Sequence, residues 1–557
     1  PSNPINLISP IYSIKSFKLK KYQAVFLLGI IFLFLEAAFF FIRIQNGMPL
    51  NGLTILFTGS FFKLLFYLFT VIICILSLSI LPMMKNKLIA YLSLLIIIGF
   101  YMVDLIYLRI NNWGFSFNEL SIILSEYENN FTNVIRFYFP QIMIGLLAGI
   151  AILFTILVVR KQTESKFSTN FIIIPIISLL LVFAIQFKTA ASFSFRLPSF
   201  QTITSYLIYW KLYPSFYGDR EPLTIYPTYQ KKYKNILWIL DCSVNGRYLG
   251  INSDQFNSTP FLSKNAHLYV NAGNAISATN CSATTNIFLM GMGNKDNLPD
   301  YDERLLKSPN IFAFAQNAGF KTAYLSGQSH DNHLQNYMTK YDLEDIEYFY
   351  QPQTNDEKDI ALADELLAEE IINYLHQNDG SFVYVVKSGS HFPWKNNYPI
   401  DEEIFKPSMG ANESIFSSDS LLRLNTYLNS IRWKTDHFFQ SLLKDTSILE
   451  NTIIMYTSDH GQALNGASNQ THCSTYNPDS DEGIVPLIYF TDNIPKLNDL
   501  LSKSSRQYHE EIISLTLLAM GYENDNTKIE NRVGFFYGHL FPKNKYQQNG
   551  NKLILNQ

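Results

Sequence analysis

Hydrophobic positions are spread very unevenly along the chain. In residues 22–42, 64–84, 88–108, 139–159 and 171–187 they run almost without a charge, each about long enough to cross a hydrocarbon core of roughly 30 Å as a helix. From residue 235 the texture changes. Short apolar bursts ("NILWIL", "HLYVNA", "TAYLSG", "SFVYVVKSG", "NTIIMYTSD", "IVPLIYFTD") alternate with helical patterns such as "ADELLAEEIINYLHQN" and "LNTYLNSIRWKTDHFFQSLLK". Bursts of that length read as strands, and strands alternating with amphipathic helices predict a mainly parallel sheet sandwiched by helices. Residues 188–234, rich in Tyr, Phe and Pro with no sustained period, read as an aromatic belt along a membrane surface. The chain thus divides into a five-span transmembrane domain (1–187), an interfacial aromatic linker (188–234) and an α/β domain (235–557).

Charge fixes the expected orientation. Lys15, Lys18, Lys20 and Lys21 precede the first span, Lys85 and Lys87 join the second to the third, and Arg160, Lys161 and Lys166 join the fourth to the fifth. The connection between spans three and four instead carries Glu119, Glu126 and Glu128. Positive residues stay on the cytoplasmic side, so the N-terminus is expected inside, and an odd number of spans exports everything after residue 187. The first apolar run is long and no small-residue cleavage site follows it, which argues against a removable signal peptide. A composition of 48% apolar and only 16% charged residues agrees with a membrane protein. The net charge of −3 and the lack of a basic tract give no reason to expect nucleic acid as a partner. Four cysteines are too few for a disulfide scaffold; Cys74 lies in a span, leaving Cys242, Cys281 and Cys473 for an oxidising compartment. Glu36, inside the first span, is expensive there and expected either to be functional or to reach the outer interface.

Ligands of such sheets gather at the carboxyl ends of the strands. Three of those ends carry metal-capable residues: Asp241 and Cys242 after "NILWIL", His391 after "SFVYVVKSGS", and Asp459 with His460 after "NTIIMYTS". All ten histidines lie after residue 187, in the part expected to be exported. Convergence of carboxylate, thiol and imidazole at one sheet edge points to a divalent cation, with zinc suiting that donor mixture.

The segments 235–243, "NCSATTN" (280–286), "GFKTAYLSGQ" (319–328), "SGSHFPW" (388–394), "YLNSIRWKTDHF" (427–438), "TSDHGQAL" (457–464) and "THC" before "EGIVPLIYF" together resemble the membrane-anchored phosphoethanolamine transferases of the alkaline phosphatase and sulfatase superfamily. The resemblance covers nearly the whole chain. It implies an N-terminal five-helix transmembrane domain followed by an exported α/β/α sandwich of alkaline phosphatase-like type. It implies one Zn2+, or two, with Asp459 and His460 as ligands. It also implies a threonine, at a helix start four residues beyond a cysteine, as both nucleophile and ligand; counted from Cys281 this is Thr285, with Thr284 and Ser282 as neighbouring hydroxyls. His391 and His472 are expected to bind the transferring headgroup, a second metal or the leaving-group oxygen. Asp401 is either part of that pocket or a solvated acid.

One position departs from the family pattern. Where relatives carry a glutamate ligand after the first strand, this chain has Cys242. The thiolate can ligate zinc itself; Asp241 can take its place; Cys242 can be oxidised or bridged to Cys473; or the chain is catalytically weakened. Cys281 and Cys473, flanking the site without occupying a ligand position, are the better disulfide candidates. The implied activity is transfer of phosphoethanolamine from phosphatidylethanolamine through a phosphothreonine to lipid A or another lipopolysaccharide sugar. The protein would be a monomer among the lipids of a bacterial inner membrane, with its catalytic domain in the periplasm. The loop 117–130 would help to hold the donor, Glu126 and Glu128 meeting its ammonium group. Glycerophosphate transfer, sulfatase-like hydrolysis and a pseudoenzyme that keeps the fold are the rivals.

Overall fold

The computed structural model describes residues 18–554 except 46–60, 112–113, 189–196, 213–217, 295–297, 330–331, 353–359, 411–412, 414–418, 465–470, 475–477, 524–533, 539 and 542–550. The chain forms two compact units, one of residues 1–121 and 139–212, the other of 122–138 and 213–557.

In the first unit the apolar runs become helices α1 (Lys21–Gln45), α2 (Phe61–Ile80), α3 (Lys87–Asn111), α4 (Phe117–Gln162) and α5 (Ile173–Lys188). With the 3-10 turns that extend α2 (Leu81–Met83) and precede α5 (Thr169–Ile172), they give five segments long and apolar enough to span a membrane, at Lys21–Ile42, Phe61–Met83, Lys87–Ile110, Tyr138–Gln162 and Thr169–Lys188. Two features differ from the sequence reading. Residues 117–130, expected as a loop, are the start of the 46-residue α4, which bends at Tyr138 just before Pro140; the ring of Pro140 disturbs the turn before it without ending the helix. The side chains of Glu119, Glu126 and Glu128 lie outside the described residues. Within the expected linker, α6 (Ser199–Leu212) is helical and buries Phe200, Ile203, Tyr206 and Tyr209. Its aromatic residues pack within the bundle: Tyr206 and Tyr209 stand edge-on to Phe117. Glu36 also turns inward, accepting from the Tyr101 hydroxyl at 2.5 Å and the Ser199 amide at 3.2 Å. Asp104 accepts from the Ser199 hydroxyl at 2.8 Å. The two acids thus tie the first turn of α6 to α1 and α3.

The second unit is built on a seven-stranded sheet: β1 (Asn235–Asp241), β2 (Tyr269–Ile276), β3 (Lys321–Ser326), β4 (Tyr348–Tyr350), β5 (Ser381–Val386), β6 (Thr452–Ser458) and β7 (Ile484–Phe490), in the order β2-β7-β6-β1-β5-β3-β4. The five strands from β6 to β4 are parallel, while β7 runs antiparallel to both β6 and β2. Central β1 is buried along its whole length because helices cover both faces. Ile236, Trp238 and Leu240 face a layer containing α8 (Ser282–Met290), α9 (Ile311–Asn317), α12 (Ile494–Leu501) and α13 (Glu511–Met520). Leu237 and Ile239 face a layer containing α7 (Pro260–Lys264), α10 (Ile360–Gln377) and α11 (Ser420–Ile431). That two-sided burial is why the strand reads as an unbroken apolar run rather than an alternation. The parallel strands all deliver their carboxyl ends to one edge.

Candidate functional site

Strand β1 ends at Asp241, directly before Cys242, and β6, its register partner, ends at Ser458, directly before Asp459 and His460. The two ends are stitched together: the Asp459 amide donates to the Asp241 carbonyl at 2.9 Å. Ser243, in the left-handed region with φ 58°, aims its amide at Asp459 Oδ1 at 3.0 Å. The result is a buried cluster in which Cys242, Asp459 and His460 each bring one donor atom within 4.8 Å of the others. Asp459 Oδ1 also accepts from the His460 amide at 2.7 Å, but Oδ2 is buried without a hydrogen-bond partner. A solvent-excluded carboxylate oxygen left unpaired is expensive, and a cation at the cluster would satisfy it. His460 Nδ1 donates to the Gly461 carbonyl at 2.7 Å, which fixes the tautomer and leaves the Nε2 lone pair facing the cluster. Thiol, carboxylate and imidazole form a donor set that suits zinc.

The Ser243 hydroxyl lies 3.6 Å from Cys242 Sγ, and a second hydroxyl, that of Ser282, reaches both Cys242 and His460. Its Oγ lies 3.1 Å from His460 Nε2 and 3.7 Å from Cys242 Sγ. Cys281 is the N-cap of α8, so Ser282 is its first residue, and no side chain caps that end. Helix N-termini present free N–H groups and attract anions. Thr285 is one turn further in, buried, with its hydroxyl on Thr279 Oγ1 at 2.7 Å. Thr284 is likewise engaged, 2.6 Å from the same atom and 3.0 Å from the Cys281 carbonyl. Counting from the cysteine presupposes a helix that starts later; here it starts directly after Cys281, so the serine reaches the cluster and Thr285 does not.

His472 joins from the loop before β7, its ring stacked on His460 at a centroid distance of 4.5 Å and 5.4 Å from the ring of His391. Burial, and then the charges that His460 and His391 would carry, hold His472 well below the ordinary imidazole range, so it stands neutral as an acceptor at pH 7. His391 Nδ1 donates to the Phe392 carbonyl at 2.6 Å, leaving Nε2 outward. Asp401 is exposed in a short helical turn.

Two of the accounts of Cys242 do not fit this geometry. Cys473 is bonded to Cys281, leaving Cys242 a free, buried thiol. Asp241 is engaged elsewhere: its Oδ2 accepts from Lys387 at 2.6 Å, the Tyr456 hydroxyl at 2.8 Å and Thr435 at 3.1 Å. Burial, then the neighbouring Asp459, pushes the Cys242 thiol well above its ordinary range, so without a cation it keeps its proton. Sequence reasoning passed over Lys387, Tyr456 and Thr435; the only available signal was a lysine inside the apolar burst "SFVYVVKSG".

The sulfatase family pattern matches residues 234–520. Among solved structures, the integral membrane lipooligosaccharide phosphoethanolamine transferase A (EptA) from Neisseria meningitidis is similar over 87% of this chain and 94% of its own, at 17% identity and a TM-score of 0.59. The C-terminal periplasmic domain of EcEptC from Escherichia coli in complex with Zn covers 60% of this chain and 96% of its own, at 16% identity and a TM-score of 0.47. That of the phosphoethanolamine transferase EptC from Campylobacter jejuni covers 57% and 96%, at 19% identity and a TM-score of 0.44. No curated protein sequence matches the chain. The match to EptA is one of fold and includes the five apolar helices as well as the sheet domain, while the family pattern spans more than half of the sequence: the chain belongs to the sulfatase family.

Proposed function

We propose that the protein is a membrane-anchored phosphotransferase that moves phosphoethanolamine from phosphatidylethanolamine to lipid A or another lipopolysaccharide sugar, through a covalent intermediate on Ser282. One observation carries the reading: the Ser282 hydroxyl, at an uncapped helix N-terminus, meets the Cys242, Asp459 and His460 donors. The likeness to EptA, a phosphoethanolamine transferase by name, supports the substrate class.

The donor set is proposed to hold zinc, which supplies positive charge to offset an anionic phosphodiester and to acidify a neighbouring hydroxyl. The chain's own groups account for the rest. Ser282 Oγ attacks phosphorus, its proton passes to solvent or a neighbouring base, and the bond from phosphorus to the diacylglycerol oxygen breaks. The N–H groups of the first turn of α8 face the phosphoryl oxygens. His472, held neutral, accepts a hydrogen bond from the headgroup, and the departing oxygen takes its proton from solvent. In the second half an acceptor oxygen attacks and the bond from phosphorus to Ser282 Oγ breaks, regenerating the serine. Both substrates are lipids, so anchoring the domain in the inner membrane, with the catalytic unit on the periplasmic side, raises their effective concentration.

Mass spectrometry of lipid A and core sugars from cells with and without the protein tests the reading; one added phosphoethanolamine per acceptor is expected, and no change on any glycan overturns it. Ser282→Ala is expected to lower transfer by at least about 10³-fold while Thr285→Ala retains most of it. The reverse order would return the role to Thr285. The free Cys242 thiol favours one rival, a pseudoenzyme, which predicts no bound zinc in the purified protein.

A further inference from the structure

A four-charge network lies buried below the site, and its arrangement bears on which residue completes the cation's donor set. Asp241 and Lys387 are both fully buried with 2.6 Å between Oδ2 and Nζ. Asp364, also buried, lies 3.9 Å from Lys387 and 3.6 Å from Lys434. Lys387 donates further to the Lys434 carbonyl, and Lys434 to Ser388 at 2.7 Å. Two carboxylates are thus matched by two ammonium groups. Removing charges from water is costly, so such a network is an expensive way merely to fill space. Its placement is specific: Asp241 is the residue directly before Cys242, and its Oδ1 accepts from the Cys242 amide at 3.0 Å. The loop after β5 closes over the pair at Gly389, where a Cβ would lie 2.4 Å from Asp241 Oδ1 and 2.5 Å from the Cys242 nitrogen.

Asp241 and Cys242 therefore offer a hard oxygen donor and a soft sulfur donor at one strand end. We propose that Lys387 is a positioning residue that withholds the Asp241 carboxylate from the cation, leaving the Cys242 thiolate as third donor and fitting the site to a thiophilic divalent cation. The proposal rests on the reading of Cys242, Asp459 and His460 as a cation site. Without Lys387, a buried carboxylate hydrogen-bonded only by neutral groups and lacking its ammonium partner stands one residue from the cation and draws it away from sulfur. With Lys387, oxygen-preferring Mg2+ or Mn2+ gains nothing from Asp241, and a thiolate selects zinc-like ions.

The test uses the full-length protein loaded with Co2+, whose near-ultraviolet thiolate charge-transfer band reports a metal–sulfur bond independently of activity. The wild type is expected to show the band and Cys242→Ser to lose it; no band in the wild type sinks the cation-site reading itself, and this proposal with it. Given the band, Lys387→Met is expected to lose most of it and Asp241→Asn/Lys387→Met to regain it, since an amide does not compete for the ion. Asp241→Asn alone is expected to leave the cobalt spectrum unchanged. A full band in folded Lys387→Met, failure of the double variant to regain it, or a changed spectrum in Asp241→Asn overturns the role given to Lys387. The Asp241→Asn arm decides even if Lys387→Met does not fold.

Discussion

At the scale of single residues, Cys242 is the position whose chemistry is most exposed to measurement. Its thiol is held above the ordinary range by burial and by Asp459, whereas a ligating sulfur must be a thiolate. Cation uptake near neutral pH therefore has to expel the thiol proton. Zinc affinity is expected to rise with pH, about tenfold per unit while the thiol remains protonated, with about one proton released per ion. Cys242→Ser should flatten that slope, which calorimetry in buffers of different ionisation enthalpy checks. Thr285 makes the complementary prediction: its hydroxyl serves Thr279 in a buried position, so Thr285→Val should cost about 1–3 kcal/mol of stability by denaturant unfolding and leave zinc content unchanged. The meeting of Asp459 and His460 at a strand end was legible in the sequence because "SDHG" follows an apolar burst. The approach of Ser282 to them was not, because which of three neighbouring hydroxyls comes near depends on where a helix begins, and α8 begins directly after Cys281.

At the scale of elements, the six long strands announced themselves by composition, and β4, three residues long, did not. Helix α6 was hidden for a different reason: aromatic and hydroxyl residues mimic an interfacial belt, and only their burial against Phe117 and the span helices distinguishes the two. The break in α11 was equally silent. Directly after it, residues Arg432–His437 form a π-helical turn, a distortion that re-aims the side chains it carries. Lys434 and Thr435 point from it to the Asp364 and Asp241 carboxylates, while Asp436 caps the short α7, accepting from the amides of Phe261 and Leu262 at 2.9 Å each. Burial raises the Asp436 pKa from 3.8 to about 6, the two amides opposing the shift only in part. The sign follows: the folded state binds the proton more tightly than the unfolded chain, so the contribution is fully present below pH 3.8 and is lost as pH rises through about 6. A shift of that size corresponds to about 3 kcal/mol. Stability measured from pH 4 to 7 should therefore carry a falling component, and Asp436→Asn should remove it. An unchanged pH profile in that variant would assign the slope elsewhere.

At the scale of the whole molecule, two independent features support the proposal that the sheet domain lies outside the cytoplasm. Lysines and arginines flank the odd-numbered set of spans in the sense that keeps the N-terminus inside, and Cys281 is joined to Cys473, a bond that persists in oxidising compartments. The disulfide also does mechanical work on the site. It spans a sequence separation of 192 residues and holds the N-cap of α8, with Ser282 next to it, against the segment that carries His472. Glu482 reinforces the same junction by accepting from Asn280 at 2.8 Å and from the Ser474 amide at 3.1 Å. Closing a loop that long removes chain entropy from the unfolded state worth about 5 kcal/mol. Cys281→Ser/Cys473→Ser is accordingly expected to lower the denaturant midpoint of the sheet domain, followed through its tryptophans. The loss has a functional side that stability alone does not predict. With the tether gone, the start of α8 and the segment of His472 keep noncovalent links alone, among them those of Asn280 to Cys473, Ser474 and Glu482, so transfer should fall further than the unfolded fraction accounts for at a temperature where the variant is still folded. Activity that tracks the folded fraction alone would reduce the disulfide to a staple with no part in aligning the two residues.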